Sequence, residues 1–177
     1  VGFSQSKTLK EANKLFANQA YAEAIQAYET EETLDSTATL KLADAYYYTA
    51  DAQNASATYE KAWMLNPNQS LSTYFRYADA AKRNKDYDKA NELLSTYTGE
   101  AISILETTEV NDLKLPQYFM PTVLDAASAY DDFGAAYFDR QIVFASNRNA
   151  ERPLYAWTGK PFLDLYYAKV SGSTITD

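Results

Sequence analysis

The chain has 177 residues, a net charge of -8, and a composition that is 46% hydrophobic and 15% aromatic. This length suits one ordinary domain or two small ones, and the hydrophobic content excludes a disordered acidic tail. The densest basic cluster, Lys82, Arg83 and Lys85, lies among aspartates. We therefore expect no nucleic-acid partner, because an acidic surface repels the phosphate backbone.

The sequence contains neither cysteine nor histidine. This excludes thiol nucleophiles, disulfides, zinc fingers and imidazole bases together. Adjacent carboxylates such as Glu31 and Glu32 point in different directions on a helix or strand, so they are poor candidates for general acid-base catalysis. We therefore predict no catalytic residue, no metal and no cofactor, and we expect that the protein is not an enzyme.

The first residues, VGFSQ, are compatible with two interpretations. They suit the stub of an export signal cut near Ser4, and equally an ordinary frayed N-terminus. No run of residues approaches the roughly 20 apolar positions that a membrane-spanning helix needs.

Three related units follow one another in the first half of the chain, at steps of 31 and 35 residues. Three positions of the first unit recur in the other two, and an alanine lies nine residues before each group. The equivalent positions are Ala12, Tyr21, Ala24 and Tyr28; Ala43, Ala52, Ala55 and Tyr59; and Ala78, Tyr87, Ala90 and Leu94. The pattern resembles the tetratricopeptide repeat, a helix-turn-helix unit of about 34 residues.

Six helices are predicted from this pattern, at 7–18, 21–32, 36–50, 52–65, 71–84 and 87–98. Asp35, Asp51 and Asp86 stand where helix N-caps are expected. Pro116 and Pro121 then bracket a stretch that we interpret as an extended linker, which follows the segment AISILETTEV, a strand or a short helix.

After Asp131 the pattern becomes that of strands, in the segments AAYF, QIVFAS, DLYYAKV and STITD. The spacing predicts an antiparallel meander, which is the content of one four-stranded propeller blade, and its motifs resemble TolB-like propellers. The predicted fold class is therefore α+β: an all-α tetratricopeptide-like array at 1–98, a linker at 99–130, and an incomplete first blade of a β-propeller at 131–177.

Taken together, the repeats and three later motifs resemble a family of envelope proteins from gliding and type IX secreting Bacteroidetes. The motifs are Asp132-Phe133-Gly134, then Val143-Phe144-Ala145-Ser146 with Arg148, and Trp157-Thr158-Gly159 with Pro161 to Tyr166. Members of that family join such repeats to a TolB-like propeller and an OmpA-like domain that holds peptidoglycan. The resemblance implies a periplasmic, non-catalytic component at the outer membrane. Relative to that family the chain is either part of a longer protein, which we favour, or a truncated member whose blade completes another sheet.

Two motifs have alternative interpretations. Asp132-Phe133-Gly134 also occurs as a magnesium-binding tripeptide in kinases, but the companion kinase motifs are absent, so we predict that it begins a strand. The acidic residues Asp125, Asp131, Asp132 and Asp139 do not have the spacing of an EF-hand loop. We expect them to form a solvated acidic rim without a metal.

The candidate binding site is the concave groove that first helices line in a tetratricopeptide array. The repeat register assigns seven residues to it: Asn13, Phe16, Asp44, Tyr47, Phe75, Asp79 and Lys82. Aromatic anchors among polar groups suit protein recognition. An equally good alternative is that these residues only cover other parts of the protein. Among the consecutive Tyr46, Tyr47 and Tyr48, at least one is expected to be exposed.

Three functions remain open from the sequence. The first is a non-enzymatic scaffold that binds an outer-membrane β-barrel or a secretion or adhesin protein, with peptidoglycan held by a domain outside this chain. The second is a periplasmic carbohydrate- or peptide-binding protein with a tyrosine-rich groove. The third, a hydrolase, requires catalytic residues from blades that this chain does not contain.

Overall fold

A computed structural model describes residues 6–101, 123–171 and 174–176; for residues 171 and 174–176 it describes the backbone only. These residues divide into two compact units, one with six helices and Ala156–Thr158, the other with four strands. The predicted α+β class is thus confirmed. The predictions for residues 1–4 and for the linker around Pro116 and Pro121 lie outside the described residues.

The six predicted helices are present, and their ends agree closely with the sequence prediction. They are α1 (Lys7–Ala17), α2 (Tyr21–Glu29), α3 (Ser36–Tyr48), α4 (Ala52–Leu65), α5 (Leu71–Arg83) and α6 (Tyr87–Thr98). The largest difference is that α2 ends at Glu29, because Glu31 N–H turns back to the Tyr28 carbonyl at 3.2 Å. None of the described helices is long and apolar enough to cross a membrane.

The predicted N-caps are confirmed. The side chains of Asp35, Asp51 and Asp86 each accept a hydrogen bond from the backbone N–H three residues later, at 2.8, 3.1 and 3.1 Å. Each bond satisfies one of the donors that the first turn of a helix leaves unpaired. These aspartates therefore determine where α3, α4 and α6 begin.

The three helical hairpins, α1–α2, α3–α4 and α5–α6, have the same turn. Two residues after the first helix of each hairpin ends, the backbone adopts a positive φ. These residues are Gln19, Ala50 and Lys85, at 60°, 64° and 65°. The next N–H bonds to the carbonyl five residues earlier, at 2.9–3.0 Å in all three, which is the Schellman arrangement. The sequence repeat is thus also a repeat of backbone conformation.

Small residues form the contacts between the paired helices. Six of the seven alanines of the repeat pattern are buried, namely Ala12, Ala24, Ala43, Ala55, Ala78 and Ala90, while Ala52 is half-buried. They let neighbouring helices approach closely, while the fully buried rings of Tyr28 and Tyr59 fill the space next to them. The first helices α1, α3 and α5 also contact one another in succession, so the hairpins stack side by side.

The second unit is a four-stranded antiparallel meander in the order β1-β2-β3-β4. Its strands are β1 (Asp132–Phe138), β2 (Gln141–Ser146), β3 (Asp164–Ser171) and β4 (Thr174–Thr176). The prediction that Asp132 begins a strand is confirmed. Gly134 has φ +68° where the β1–β2 register shifts by a bulge, a conformation that glycine adopts without strain.

The two faces of this sheet differ. Ile142, Phe144 and Ala168 are buried on one face with Ala126, and the Arg148 guanidinium lies 5.0 Å from the Phe144 ring centroid. On the other face, the strand register groups Val143 with the exposed side chains of Phe138, Leu165 and Tyr167. One apolar face of the sheet therefore remains open to solvent within this unit.

Candidate functional site

The seven predicted groove residues all lie on first helices of the hairpins. Asn13 and Phe16 lie on α1, Asp44 and Tyr47 on α3, and Phe75, Asp79 and Lys82 on α5. The structure brings Tyr47, Asp79 and Lys82 together through contacts, and the helical spacing places Phe75 on the same face of α5. It assigns Asn13 and Asp44 to bonds between neighbouring hairpins.

Asn13 is an acceptor shared by two hairpins. Its Oδ1 accepts a hydrogen bond from the Tyr28 hydroxyl of its own hairpin at 3.1 Å, and another from Lys41 Nζ of the next hairpin at 2.5 Å. Its Nδ2 donates to the Leu9 carbonyl at 2.9 Å. Asn13 thus joins the first hairpin to the second and uses its amide within the protein.

Asp44 repeats this arrangement one hairpin later. Its carboxylate accepts from the Tyr59 hydroxyl at 2.5 Å, and from Arg76 Nε and Nη2 of the next hairpin at 2.8 and 3.1 Å. In both hairpins the tyrosine follows the acceptor by 15 residues. We call the two sets, Asn13–Tyr28–Lys41 and Asp44–Tyr59–Arg76, the polar ladder.

Burial changes pKa values in the polar ladder and requires that the charge of Asp44 be compensated. Asp44 is only 9% exposed, and Arg76 compensates its charge in a two-pronged ion pair. Burial raises the pKa of Tyr59, and the nearby Asp44 carboxylate raises it further. Burial alone would lower the pKa of Arg76, but Asp44 outweighs this and raises it. Burial, with a smaller effect of Asp35, raises the pKa of Tyr28 to about 12.

The third hairpin departs from this pattern. Leu94 stands where the other hairpins have tyrosine, so Asp79 has no hydroxyl donor from α6 at that position. Instead, the Asp79 carboxylate accepts from the Tyr47 hydroxyl at 3.2 Å and pairs with Arg83 Nε at 2.8 Å. The Arg83 guanidinium also lies over the Tyr47 ring, 5.7 Å from its centroid. Asp79 is therefore bonded at the surface of α5.

Aromatic and charged side chains meet on this surface, which we call the α5 patch. It consists of Phe75, Asp79 and Lys82, which share one face of α5 by their spacing, with Tyr47 and Tyr97 beside them. Phe75 is 47% exposed and Tyr97 is 41% exposed, and their ring centroids are 5.8 Å apart. Aromatic side chains are enriched in protein interfaces, and charged groups beside them suit the polar rim of such an interface.

The expectation of an exposed tyrosine among Tyr46, Tyr47 and Tyr48 is wrong. Tyr46 is buried and donates to the Glu29 carboxylate, while Tyr47 and Tyr48 are half-buried. Tyr48 stacks on Tyr21, with ring centroids 4.8 Å apart. Consecutive residues do point in different directions, but each direction here leads to another helix.

Phe16, the other aromatic residue predicted for the groove, is also only half-buried. Its ring packs edge to face on the Tyr21 ring, with centroids 5.4 Å apart. The aromatic surface of α1 is therefore partly used in contacts within the first hairpin.

The sequence prediction missed Lys41 and Arg76, the cationic half of the polar ladder. The sequence does contain a signal for these two cations. Each precedes an aspartate of the repeat by three residues, as in Lys41 with Asp44 and Arg76 with Asp79. The spacing suggests an ion pair within one helix turn. The structure pairs the cation with the preceding hairpin instead, through Asn13 and Asp44.

Two of the four aspartates considered for the acidic rim, Asp131 and Asp132, pair with cations. Asp132 accepts from Arg148 Nη2 at 3.0 Å, and the pKa of Asp132 is lowered by its hydrogen bonds, with Ser146 first and then Ser128 and Arg148. Lys160 pairs with Asp131 at 2.7 Å and lowers its pKa in the same way. Among the residues that the structure describes, no three acidic side chains are grouped to hold a metal ion.

The sequence was also compared with known protein families and with curated proteins. No family model and no curated protein matches the sequence.

Proposed function

We propose that this protein is a non-enzymatic scaffold subunit that binds a partner protein through the α5 patch. The observation that carries the proposal is the pair of exposed rings, Phe75 and Tyr97, on the surface that also presents Asp79 and Lys82. A partner that covers these rings would gain from removing apolar surface from water, and the adjacent charges would orient it.

The hydrogen bonds between neighbouring hairpins support this role. The polar ladder joins each hairpin to the next, through Asn13 to Lys41 and through Asp44 to Arg76. A binding surface on such a framework loses little conformational freedom when the partner docks, which favours affinity.

We further propose that the three hairpins are tetratricopeptide-like repeats and that the sheet is one blade of a β-propeller. Support comes from the shared turn at Gln19, Ala50 and Lys85, the buried alanines of the repeat, and the meander order of the strands. The open apolar face of the sheet also suits a blade that packs against a neighbouring blade. The linker between these two parts is proposed at 99–130.

The proposed location is the periplasm, and the proposed partner is an outer-membrane β-barrel or a secretion or adhesin protein of a type IX or gliding system. A further domain of the protein would then attach to peptidoglycan. The support is the sequence resemblance, carried by Asp132-Phe133-Gly134, by Val143 to Ser146, and by the segment around Trp157.

The test is crosslinking and purification from native membranes, with wild-type protein and a Phe75→Ala, Tyr97→Ala double variant. A Gln53→Ala, Glu60→Ala double variant is the matched control, since it also shortens two exposed side chains of the helical unit, on α4 and outside the α5 patch. We expect wild type and control to recover the same outer-membrane protein, and the double variant to bind it at least about tenfold more weakly, as for an interface hot spot. Equal recovery by all three would contradict the α5 patch as the binding surface.

The alternative function makes a different prediction in the same preparation. A carbohydrate-binding protein would be recovered without an outer-membrane protein and would bind a soluble glycan directly. That result would replace the scaffold proposal.

A further inference from the structure

A groove of about 650 Å³ lies in the helical unit, at residues other than those of the α5 patch. It is lined by the end of α2, the loop that follows, and parts of α3 and α4. Its volume falls within the range of ligand-binding pockets, roughly 300–1,000 Å³. Neither the polar ladder nor the proposed scaffold function uses this space as a binding site.

Apolar side chains line much of the groove. Leu34 and Leu42 contribute to it with Met64 and Leu65, which end α4. Met64 is 77% exposed and Leu65 is 56% exposed, so two large apolar side chains at one place remain in contact with water. A ligand that covers them would benefit from the burial of apolar surface.

Three carboxylates lie along the same groove. Glu29 accepts the Tyr46 hydroxyl, Glu31 accepts the Ser6 hydroxyl at 2.5 Å, and Glu32 is exposed beside them in the loop. Lys61, on α4, is the basic side chain among the lining residues. The charge of the lining is thus predominantly negative, which attracts a cationic ligand and repels an anionic one.

We propose that this groove binds a segment of a partner protein in which lysine or arginine adjoins bulky aliphatic residues. The aliphatic side chains cover Met64 and Leu65, and the cation meets Glu31 and Glu32. Charge complementarity determines this choice of ligand, because an acidic or purely apolar segment would leave the carboxylates uncompensated. The inference does not depend on the α5 patch, since the two surfaces share no residue.

The test uses a fluorescein-labelled peptide of about ten residues in which lysine and leucine alternate, and a matched peptide with glutamate for lysine. Fluorescence anisotropy with the whole chain measures the affinity. Two double variants separate the groove from general attraction to an acidic protein: Glu31→Gln with Glu32→Gln, and Glu23→Gln with Glu60→Gln as control. Each removes two negative charges, so the net charge changes from -8 to -6 in both, and Glu23 and Glu60 do not line the groove.

We expect wild-type protein to bind the lysine peptide and not the glutamate peptide. The groove double variant should lose at least about fivefold in affinity and the control double less than about twofold, since close charge pairs contribute more than distant ones. A Met64→Ala, Leu65→Ala double variant should also bind more weakly, with unchanged salt dependence.

Equal losses in the two charge variants, or full affinity without Met64 and Leu65, would overturn the proposal, because binding would then not occur in the groove. The Phe75→Ala, Tyr97→Ala protein should keep wild-type affinity for the peptide. Failure of the scaffold proposal and failure of this one are therefore distinguishable.

Discussion

Both units of this protein contain a largely buried ion pair, but they differ in what that pair joins and in how much apolar surface stays exposed. In the helical unit, Asp44 accepts a hydrogen bond from Tyr59 of its own hairpin and pairs with Arg76 of the next one, so polar bonds join neighbouring hairpins. In the sheet unit, Asp132 and Arg148 form a network next to a small core, while a face with Leu165 and Tyr167 remains open. The difference teaches that the helical unit adds polar bonds between hairpins to its apolar core, whereas the sheet has apolar surface left to cover.

The largest expected effect on stability comes from breaking the buried ion pair of the helical unit. Arg76→Met leaves the Asp44 carboxylate, 9% exposed, without its cation, and should lower the free energy of unfolding by about 3–5 kcal/mol. Arg83→Met is the matched control, since Arg83 pairs with Asp79 at a half-exposed position and should cost about 0–1 kcal/mol. Urea unfolding followed by helical circular dichroism measures both, and equal losses would show that burial of Asp44 does not govern the pair.

The second prediction concerns alkaline pH and the helical unit. The pKa of Tyr28 is raised to about 12, and that of Tyr59 is raised as well, so the folded state holds these protons more tightly than the unfolded state. The resulting stability is complete below about pH 10, the usual tyrosine pKa, and is lost as pH rises toward the folded pKa. The helical unit should therefore lose stability between these values.

The Tyr28→Phe variant sharpens this test. Removing the hydroxyl that bonds to Asn13 should cost about 1 kcal/mol at neutral pH and should weaken the alkaline loss. Tyr97→Phe, at an exposed position, should leave both quantities close to wild type. Identical alkaline profiles for wild type and Tyr28→Phe would contradict a role for Tyr28.

The third prediction concerns acid and the sheet unit. Because its hydrogen bonds hold the pKa of Asp132 below the usual range, the ionised carboxylate stabilises the fold above about pH 4 and this stabilisation is lost as pH falls. Amide hydrogen exchange of β2 should therefore accelerate in acid, and Asp132→Asn should make that exchange less dependent on pH. Glu151→Gln, at an exposed position, is the control, and an unchanged acid profile in Asp132→Asn would exclude this residue as the cause.

The smallest expected effects on stability come from relieving backbone strain in each of the two units. Ala50 in a helical turn and Arg140 in the β1–β2 turn both have φ of +64°. Replacing either with glycine should stabilise its unit by about 0.5–1 kcal/mol, because glycine adopts positive φ without strain. Ala57→Gly, in the exposed part of α4, should instead destabilise by about 1 kcal/mol. Thermal unfolding measures all three, and a loss for Ala50→Gly would contradict strain at this turn.

Most of the fold was predictable because its signals are local. The caps Asp35, Asp51 and Asp86 start the helices predicted for them, and the strands from Asp132 to Ser146 and after Asp164 lie where alternation indicated them. The candidate site was predictable only as a set of positions on α1, α3 and α5. Whether each side chain is exposed depends on the neighbouring hairpin, which no local pattern describes.

The sequence by itself therefore determined the hairpins, their buried alanines such as Ala43, and the meander, since capping, periodicity and residue size act over a few positions. Only the tertiary structure decided that Asp44 is buried against Arg76 while Phe75 stays exposed. Both lie on first helices at positions predicted for the same groove. The physical reason is that exposure and ion pairing depend on what the adjacent hairpin supplies. For Asp44 this is Arg76 of the next hairpin, whereas Phe75 lies on the last of the three hairpins.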